Sequence, residues 1–586
     1  MGMNDLIEQT MRHLVEIRGE VATLSPEDAL DRILSAPEPV ALVHSFPEQD
    51  LYLLVHDIGI ADALPILKLA SNRQWEYFFD AEVWERDRID LNAVTRWAHL
   101  FLATDPSRMT RWVSYEKVIF FEYYLYKNIR VVVREHDQDP AELGDDFFTF
   151  DDVYYIRILD DPMASNGEDG DAGQKGARDD EERRWVLTQL LKRLAEEDSV
   201  RFHQILLEAM HVITSEIEEE RYRQRNIRMA EKGFLPFDEA IAVYQPLSPD
   251  DVKAQLLDRE YRPPVDSNLP VARLAVRLGD DQSPVIRALE VFDTDAHRLR
   301  AEVELVGLSN RLIVADHKPV REPADLRYAV QKACGYIRIG LTGLAAEDGD
   351  PAPDARKSAA MMVQYSLPTL FRLGFGYALR LKWQVDRWFP KSWFRQKGLA
   401  LTFWDETWMG VLGGLLIKKP LCFDKSLTDQ HYREFAAMEE IIETEKALDR
   451  IIALDRFLGH LAIDPQYSSD AFLTYKNLLL TLWTRACLNL SPEVEAIELS
   501  LFRSFYVDHL FSSRPSDRSD GPASIRLNAK QSFLKWLVDQ SDLTEKEIMS
   551  RIGVTLDDLF TEIESELGNV RPAHIDPRFV SLFILK

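Results

Sequence analysis

Apolar side chains recur at helical spacing through most of the chain. The stretch 427–462 shows this most clearly, since its apolar residues recur at helical spacing and Pro465 follows the last of them. The stretches 284–315 and 323–346 have the same spacing, and each opens near a proline, which is favoured in the first helical turn. The pattern predicts a mostly α, multi-domain protein.

Strict alternation of apolar and polar side chains, the pattern of a strand, is confined to one region. Residues 147–159 have the sequence FFTFDDVYYIRIL, two alternating runs on either side of Asp151 and Asp152. This arrangement predicts a β-hairpin. Residues 129–133 are predicted to add a short strand. We therefore expect one small β-hairpin element near 129–159.

Residues 31–125 contain a loose helical repeat of short amphipathic helices separated by polar turns. A short helix cannot bury its apolar face alone, so neighbouring helices are expected to stack. The spacing between them is irregular, so the pattern predicts a superhelix-like stack rather than a strict repeat.

Three stretches rich in Gly, Pro, Ser and Asp separate the helical patterns and are predicted to be linkers. Residues 161–184 form an acidic flexible linker in this prediction, because they offer too few apolar groups to offset the entropy of ordering. Residues 346–357 and 512–525 have a similar composition. The expected folded parts are a superhelix-like domain at 1–160, a central helical domain at 185–345, an aromatic-rich helical domain at 358–511 and a small C-terminal helical unit at 526–586.

Charge and cysteine content narrow the function classes. The 586 residues include 98 acidic and 70 basic side chains, a net charge of −28. Such a chain repels nucleic-acid phosphates on average, which argues against general DNA or RNA binding. The three cysteines exclude a disulfide scaffold. We see neither a secretory signal nor a transmembrane segment, so a cytoplasmic location is expected.

His56 and Asp57 begin the string HDIG, which is found in metal-dependent phosphohydrolases. That chemistry needs further ligands to generate hydroxide on a metal, and His44 and His99 are the neighbouring histidines. The alternative is a helix end, with Gly59 closing one helix before the next begins. We favour the helix end and expect no cofactor.

Two other motifs have structural explanations. Gly374 and Gly376 open a GxGxxG-like string, but Leu379 replaces the third glycine and no predicted strand precedes it. Close helix packing is therefore favoured over nucleotide binding.

Residues 544–567 resemble a helix-turn-helix with its turn at Gly553, yet the second helix is acidic. A DNA-reading helix should be basic, so we predict a small packing unit.

Arg221, Arg225 and Arg228 stand at i, i+4 and i+7 on one predicted helix face. Arginine forks match carboxylates and phosphates, so an anion site is one interpretation. The favoured alternative is a solvated face of ion pairs with the glutamates that precede them.

The segment 371–397, FRLGFGYALRLKWQVDRWFPKSWFRQK, is the strongest candidate for function, because it carries seven basic residues and one acid in an acidic chain. Such a stretch can lie on an anionic membrane, stack single-stranded nucleic acid or hold an anionic ligand or partner. The favoured alternative is intramolecular, with the basic helix docked on acidic helices and the tryptophans in the core. The candidate residues are Arg372, Arg380, Lys382, Trp383, Arg387, Trp388, Lys391 and Trp393.

Two stretches carry a family resemblance. Residues 37–84 (PEPVALVHSF to FFDAEVW) and 221–249 (RYRQRNIRMAEKGFLPFDEAIAVYQPLSP) resemble an uncharacterised bacterial family of unknown function, known mainly from anaerobic delta-proteobacterial genomes. The N-terminal part is also similar to the helical intracellular domain of MgtE-type magnesium transporters, in patterns such as PEQDL at 47–51. The second resemblance implies a superhelix of stacked helices, and not magnesium binding.

With no complete catalytic signature, the sequence favours a non-catalytic cytoplasmic scaffold or regulatory protein that binds protein partners through stacked helices. Two alternatives stay open. One is a metal-dependent phosphohydrolase that uses His56 and Asp57. The other is a peripheral binder of an anionic membrane or ligand through 371–397.

Overall fold

The protein is described by a computed structural model. The described residues are 13, 14, 16–18, 20, 21, 24–85, 88–135, 138–144, 146–159, 170–212, 214–231, 240–255, 283–316, 318, 323–427, 431–463, 465, 473–511 and 523–586.

Helices dominate the structure, as predicted, and 24 α-helices occur in the described part of the chain. None of the helices in this part has the length and apolar character needed to cross a membrane. The helices are Pro26–Leu34, Pro39–Ser45, Glu48–Ile58, Leu64–Leu69, Asn72–Glu82, Leu91–Thr104, Pro106–Arg111, Val118–Asn128, Gly170–Glu197, Ser199–Ala209, Thr214–Glu231, Pro249–Lys253, Pro284–Glu290, Asp295–Ala315, Pro323–Glu347, Ala355–Gln364, Leu367–Trp388, Trp393–Gln396, Asp405–Leu416, Met438–Leu458, Tyr475–Cys487, Leu499–Phe505, Leu527–Asp539 and Glu545–Leu567.

Short strands form three small antiparallel sheets among the described residues. The strands are β1 (Trp84–Glu85), β2 (Arg88–Ile89), β3 (Ile129–Val133), β4 (Phe148–Thr149), β5 (Tyr154–Ile158), β6 (Cys422–Phe423) and β7 (Tyr432–Arg433). β1 pairs with β2 and β6 with β7, while the largest sheet has the order β3–β5–β4. In that sheet Ile129 faces Ile158 and Val133 faces Tyr154. The predicted β element near 129–159 is therefore confirmed.

Short helices at the N-terminus pack in a staggered way, each against the helix two places further along the chain. The ring of Trp75 stacks on Phe101 at 4.2 Å and meets Trp112 edge-on at 6.1 Å, so aromatic side chains fill the space between these helices. The staggered pairs are Pro26–Leu34 with Glu48–Ile58, Pro39–Ser45 with Leu64–Leu69, Glu48–Ile58 with Asn72–Glu82, and Leu64–Leu69 with Leu91–Thr104.

A helix occupies part of the first predicted linker. Gly170–Glu197 is continuous, so residues 170–184 of the predicted linker are helical. Residues 160–169 lie outside the described residues. The C-terminal half of this helix buries an apolar face, and helix propagation from that face explains why the polar residues before it are helical. The buried side chains are Val186, Leu187, Leu190, Leu191 and Leu194.

The C-terminal region also differs from expectation. Glu545–Leu567 is one helix, so the turn predicted at Gly553 is wrong. Buried Ile552 and Leu556 continue the apolar face across the glycine. Packing of that face outweighs the propensity cost of one glycine, which is about 1 kcal/mol.

Two compact units divide the chain. The first comprises Met1–Tyr244, Asp258–Ala333 and Met362–Pro368, and the second comprises Gln245–Leu257, Cys334–Met361 and Thr369–Lys586. The four-part division of the chain that composition predicts stays a prediction. Composition reports where a chain is poor in apolar groups, whereas compact units depend on which helices pack together.

Candidate functional site

Two glycines allow the helix Leu367–Trp388 to pack closely against a neighbouring helix. Leu367–Trp388 carries most of the candidate segment 371–397, which we call the basic segment. A Cβ added at Gly374 would collide with the carbonyl oxygen of Tyr336, and one added at Gly340 would collide with that of Leu370. Only hydrogen fits at either position, so the two helices cross in backbone contact. The GxGxxG-like string therefore serves close helix packing, as predicted.

Asp455 fixes the end of the basic segment. Its carboxylate is 2% exposed and accepts hydrogen bonds from the indole N–H of Trp388 at 3.0 Å and from the backbone N–H groups of Trp393 and Phe394 at 3.1 Å. Burial raises the pKa of Asp455, and the three donors oppose that shift. Two tryptophans of the segment are thus tied to the interior of their own unit.

A different face of the same helix lies in solvent. Arg380, Trp383 and Arg387 follow one another at i, i+3 and i+7, and all three are exposed, Trp383 to 46%. We call these three residues the basic face. Beyond the end of the helix, Lys391 and Arg395 are also exposed.

Contacts within the helix hold the two guanidinium groups of the basic face. The guanidinium carbon of Arg380 lies 4.0 Å from the ring centre of Tyr377, and Nε of Arg387 donates to the carbonyl of Trp383 at 3.1 Å. Neither arginine forms an ion pair with an acidic side chain that the structure describes. The basic face is therefore an exposed, uncompensated positive patch.

The other basic candidates of this helix are engaged within their own unit. Arg372 donates from Nε to the carbonyl of Gln245 at 2.7 Å, and the ammonium of Lys382 pairs with Asp386 at 3.1 Å. Some residues of the segment thus contact the rest of the fold, and others face solvent. The composition of the segment does not show which residues belong to which group.

The arginine triplet lies in the first unit, where a buried aspartate binds two of its members. Arg228 donates to both carboxylate oxygens of Asp80, at 2.7 and 2.9 Å, and Arg225 donates to the Asp80 carbonyl at 3.0 Å. Burial lowers the pKa of Arg225, and Asp80 opposes that shift. Arg221 donates to Gln224 at 2.8 Å. Sequence patterns do not single out Asp80, whose one signal is that it is an acid among the aromatic residues of Asn72–Glu82.

His56 and Asp57 lie in different surroundings. The imidazole Nε2 of His56 lies 3.6 Å from a carboxylate oxygen of Glu82, and its ring packs 4.4 Å from that of Tyr52, whereas Asp57 is exposed. Gly59 has φ 98° and ends the helix, as expected. Across the described ranges, no three His, Cys, Asp or Glu side chains are grouped so that they could hold a metal ion.

One titratable group that the sequence did not indicate has a pKa near neutrality. Burial, and secondly the neighbouring carboxylate of Glu208, raise the pKa of Glu122 to about 7, while Arg201 and Arg221 oppose the shift. The side chain is half-buried on Val118–Asn128. Helix periodicity gives no sign of this, because Glu208 comes from another helix.

The chain belongs to DUF6178, a family of unknown function, whose model matches residues 7–586. No curated protein and no solved structure matches the chain. The predicted membership of an uncharacterised family is therefore confirmed. The likeness to the MgtE domain and the delta-proteobacterial origin stay predictions.

Proposed function

We propose that this member of the DUF6178 family is a non-catalytic cytoplasmic scaffold or regulatory protein, and that its basic face binds an acidic region of a protein partner. One observation carries the proposal. Arg380 and Arg387, which have no acidic partner among the described residues, flank the exposed Trp383 in a chain of net charge −28.

These residue types are suited to protein recognition. Arginine and tryptophan are enriched among the side chains that dominate binding energy at protein interfaces. Arginine forks also match carboxylates geometrically, and opposite charge steers the encounter. Because intrahelical contacts already hold both guanidinium groups, less side-chain entropy is lost on binding.

An anionic membrane is the second candidate, favoured by the same charges. A helix that lies in a membrane interface turns a wide apolar face into the lipid. In Leu367–Trp388 the apolar side chains are instead buried in the fold, and Trp383 is the one exposed tryptophan of 371–397. This favours a protein partner. The buried apolar side chains are Leu367, Leu370, Phe371, Leu373, Phe375, Ala378, Leu381 and Val385.

Charge reversal of the basic face tests the proposal. The intact chain serves as bait in native lysate, and a captured protein is then identified, purified and titrated. We expect the R380E/R387E variant to lose at least about tenfold in affinity, since each close charge pair contributes on the order of 1.5 kcal/mol or more.

The matched control is K535E/K546E, which reverses two exposed lysines and changes the net charge equally. It should bind as the wild type does. Equal affinity of R380E/R387E and wild type would exclude the basic face. Binding to anionic vesicles that R380E/R387E abolishes, with no protein partner, would assign the face to membranes.

A further inference from the structure

We propose that the partner presents an amphipathic α-helix with two acidic side chains seven residues apart and an apolar side chain midway between them. This rests on the proposed function of the basic face, and it names the chemistry of the partner.

The spacing of the basic face carries the inference. Arg380 and Arg387 are seven residues apart on one helix, about 10.5 Å along its axis, and Trp383 lies between them. A helix packed alongside repeats its side chains at the same rise. Acids at its i and i+7 positions therefore meet both arginines, while an apolar residue at i+3 or i+4 reaches the indole.

An extended segment fits this spacing less well. Side chains on one face of a strand are about 6.6 or 13 Å apart, since successive residues rise about 3.3 Å and alternate between faces. Neither distance matches about 10.5 Å, so a strand would reach both arginines only if their side chains left the contacts with Tyr377 and Trp383.

The local chemistry leaves both guanidinium groups available. Nε of Arg387 donates to the Trp383 carbonyl, and the two terminal nitrogens form no ion pair with a described acid, so they can donate to a carboxylate. The guanidinium of Arg380 lies over the ring of Tyr377, with 4.0 Å between its carbon and the ring centre, in a cation–π contact. Asp386, the one acid of the segment, is compensated by Lys382. A partner carboxylate therefore meets little repulsion from the negative charge of this segment.

Two alanine-based helical peptides of identical composition and net charge provide the test. One carries Glu at i and i+7 with Leu at i+3, and the other carries the same residues with Glu at i and i+5, which lie about 140° apart around the helix. Fluorescence anisotropy with the intact chain should give about tenfold tighter binding of the first peptide. R380E/R387E should lose that preference, and K535E/K546E should keep it.

Each other outcome overturns the inference. Equal binding of both peptides, lost in R380E/R387E, would leave an acid-binding face without the helical spacing, so the proposed function would stand alone. Binding of neither peptide, together with binding of anionic vesicles, would overturn the helical partner and the proposed function together. Binding of neither peptide and of no vesicles would overturn the helical partner.

Discussion

A single buried carboxylate holds the end of the segment 371–397 against the interior of its unit. Asp455 binds three N–H groups of residues 388–394 and thereby draws Trp388 and Trp393 inward. Apolar periodicity predicted the helix that carries Asp455, but the partners of a buried acid come from another part of the chain. For single residues, the sequence indicates candidate side chains but does not show which of them contact one another.

Asp455→Asn should destabilise the second unit. The amide keeps one acceptor oxygen but turns an NH2 group toward a backbone or indole N–H, leaving buried donors unsatisfied. We expect a loss of about 2–3 kcal/mol in the free energy of unfolding, measured by urea denaturation. Asp449→Asn, at an exposed site that accepts from Gln384 at 2.8 Å, should change it by less than about 0.5 kcal/mol. Equal effects of the two variants would contradict the role of Asp455.

Glu122 should make the stability of the first unit depend on pH. Its pKa rises from 4.5 to about 7 in the folded chain. The folded state therefore holds a proton that the unfolded state releases between these values, so the contribution of Glu122 is present at low pH and lost as the pH rises through about 7.

Glu122→Gln removes that dependence. Thermal unfolding should show the variant about 1 kcal/mol more stable than wild type at pH 8, a figure discounted for the partial exposure of the side chain, and equally stable at pH 5. Destabilisation of the variant by the same amount at both pH values would show that Glu122 acts only through packing.

Helix positions followed apolar spacing, while helix ends followed local contacts that spacing does not report. The predicted helix 284–315 is broken between Glu290 and Asp295, because the Thr294 side chain accepts from the N–H of His297 at 3.3 Å and starts a new helix. Among the described residues of the predicted helix 427–462, the helix begins at Met438, because β7 takes up Tyr432–Arg433 before it.

The sequence predicts that a close helix crossing occurs, but not which helices cross. Gly374 indicated close packing, but Tyr336, the residue it meets, lies on a helix that spacing alone could not assign as a neighbour. Likewise, Asp80 and Arg228 are separated by 148 positions in the chain. Such pairings depend on the order in which helices stack, which is a property of the whole unit.

Gly374→Ala should weaken the crossing that presents the basic face. The added methyl group meets the Tyr336 carbonyl, so the two helices must separate, and we expect a loss of about 3 kcal/mol in the free energy of unfolding. Gly307→Ala is the matched control, because a Cβ there meets nothing within 4 Å on Asp295–Ala315. It should stabilise by about 0.5–1 kcal/mol, measured by urea denaturation. A tolerated Gly374→Ala would contradict backbone contact at the crossing.

The net negative charge of the whole molecule distinguishes the basic face from most of the surface. In a chain of net charge −28, most surfaces repel an acidic partner, and a small uncompensated positive patch limits where such a partner can dock. Composition predicted the contrast between 371–397 and the rest. It could not tell that Trp383 faces outward while Trp388 and Trp393 are tied to Asp455, because that division arises from packing.

A charge-swap titration tests this account most directly. The helical peptide with Glu at i and i+7 and a version with Lys at both positions are titrated by fluorescence anisotropy into wild type, R380E/R387E and K535E/K546E. We predict that wild type and K535E/K546E bind the Glu peptide, and that R380E/R387E alone binds the Lys peptide about tenfold more tightly than K535E/K546E does. Equal binding of the Lys peptide by the two variants, which carry the same net charge, would contradict direct contact at the basic face.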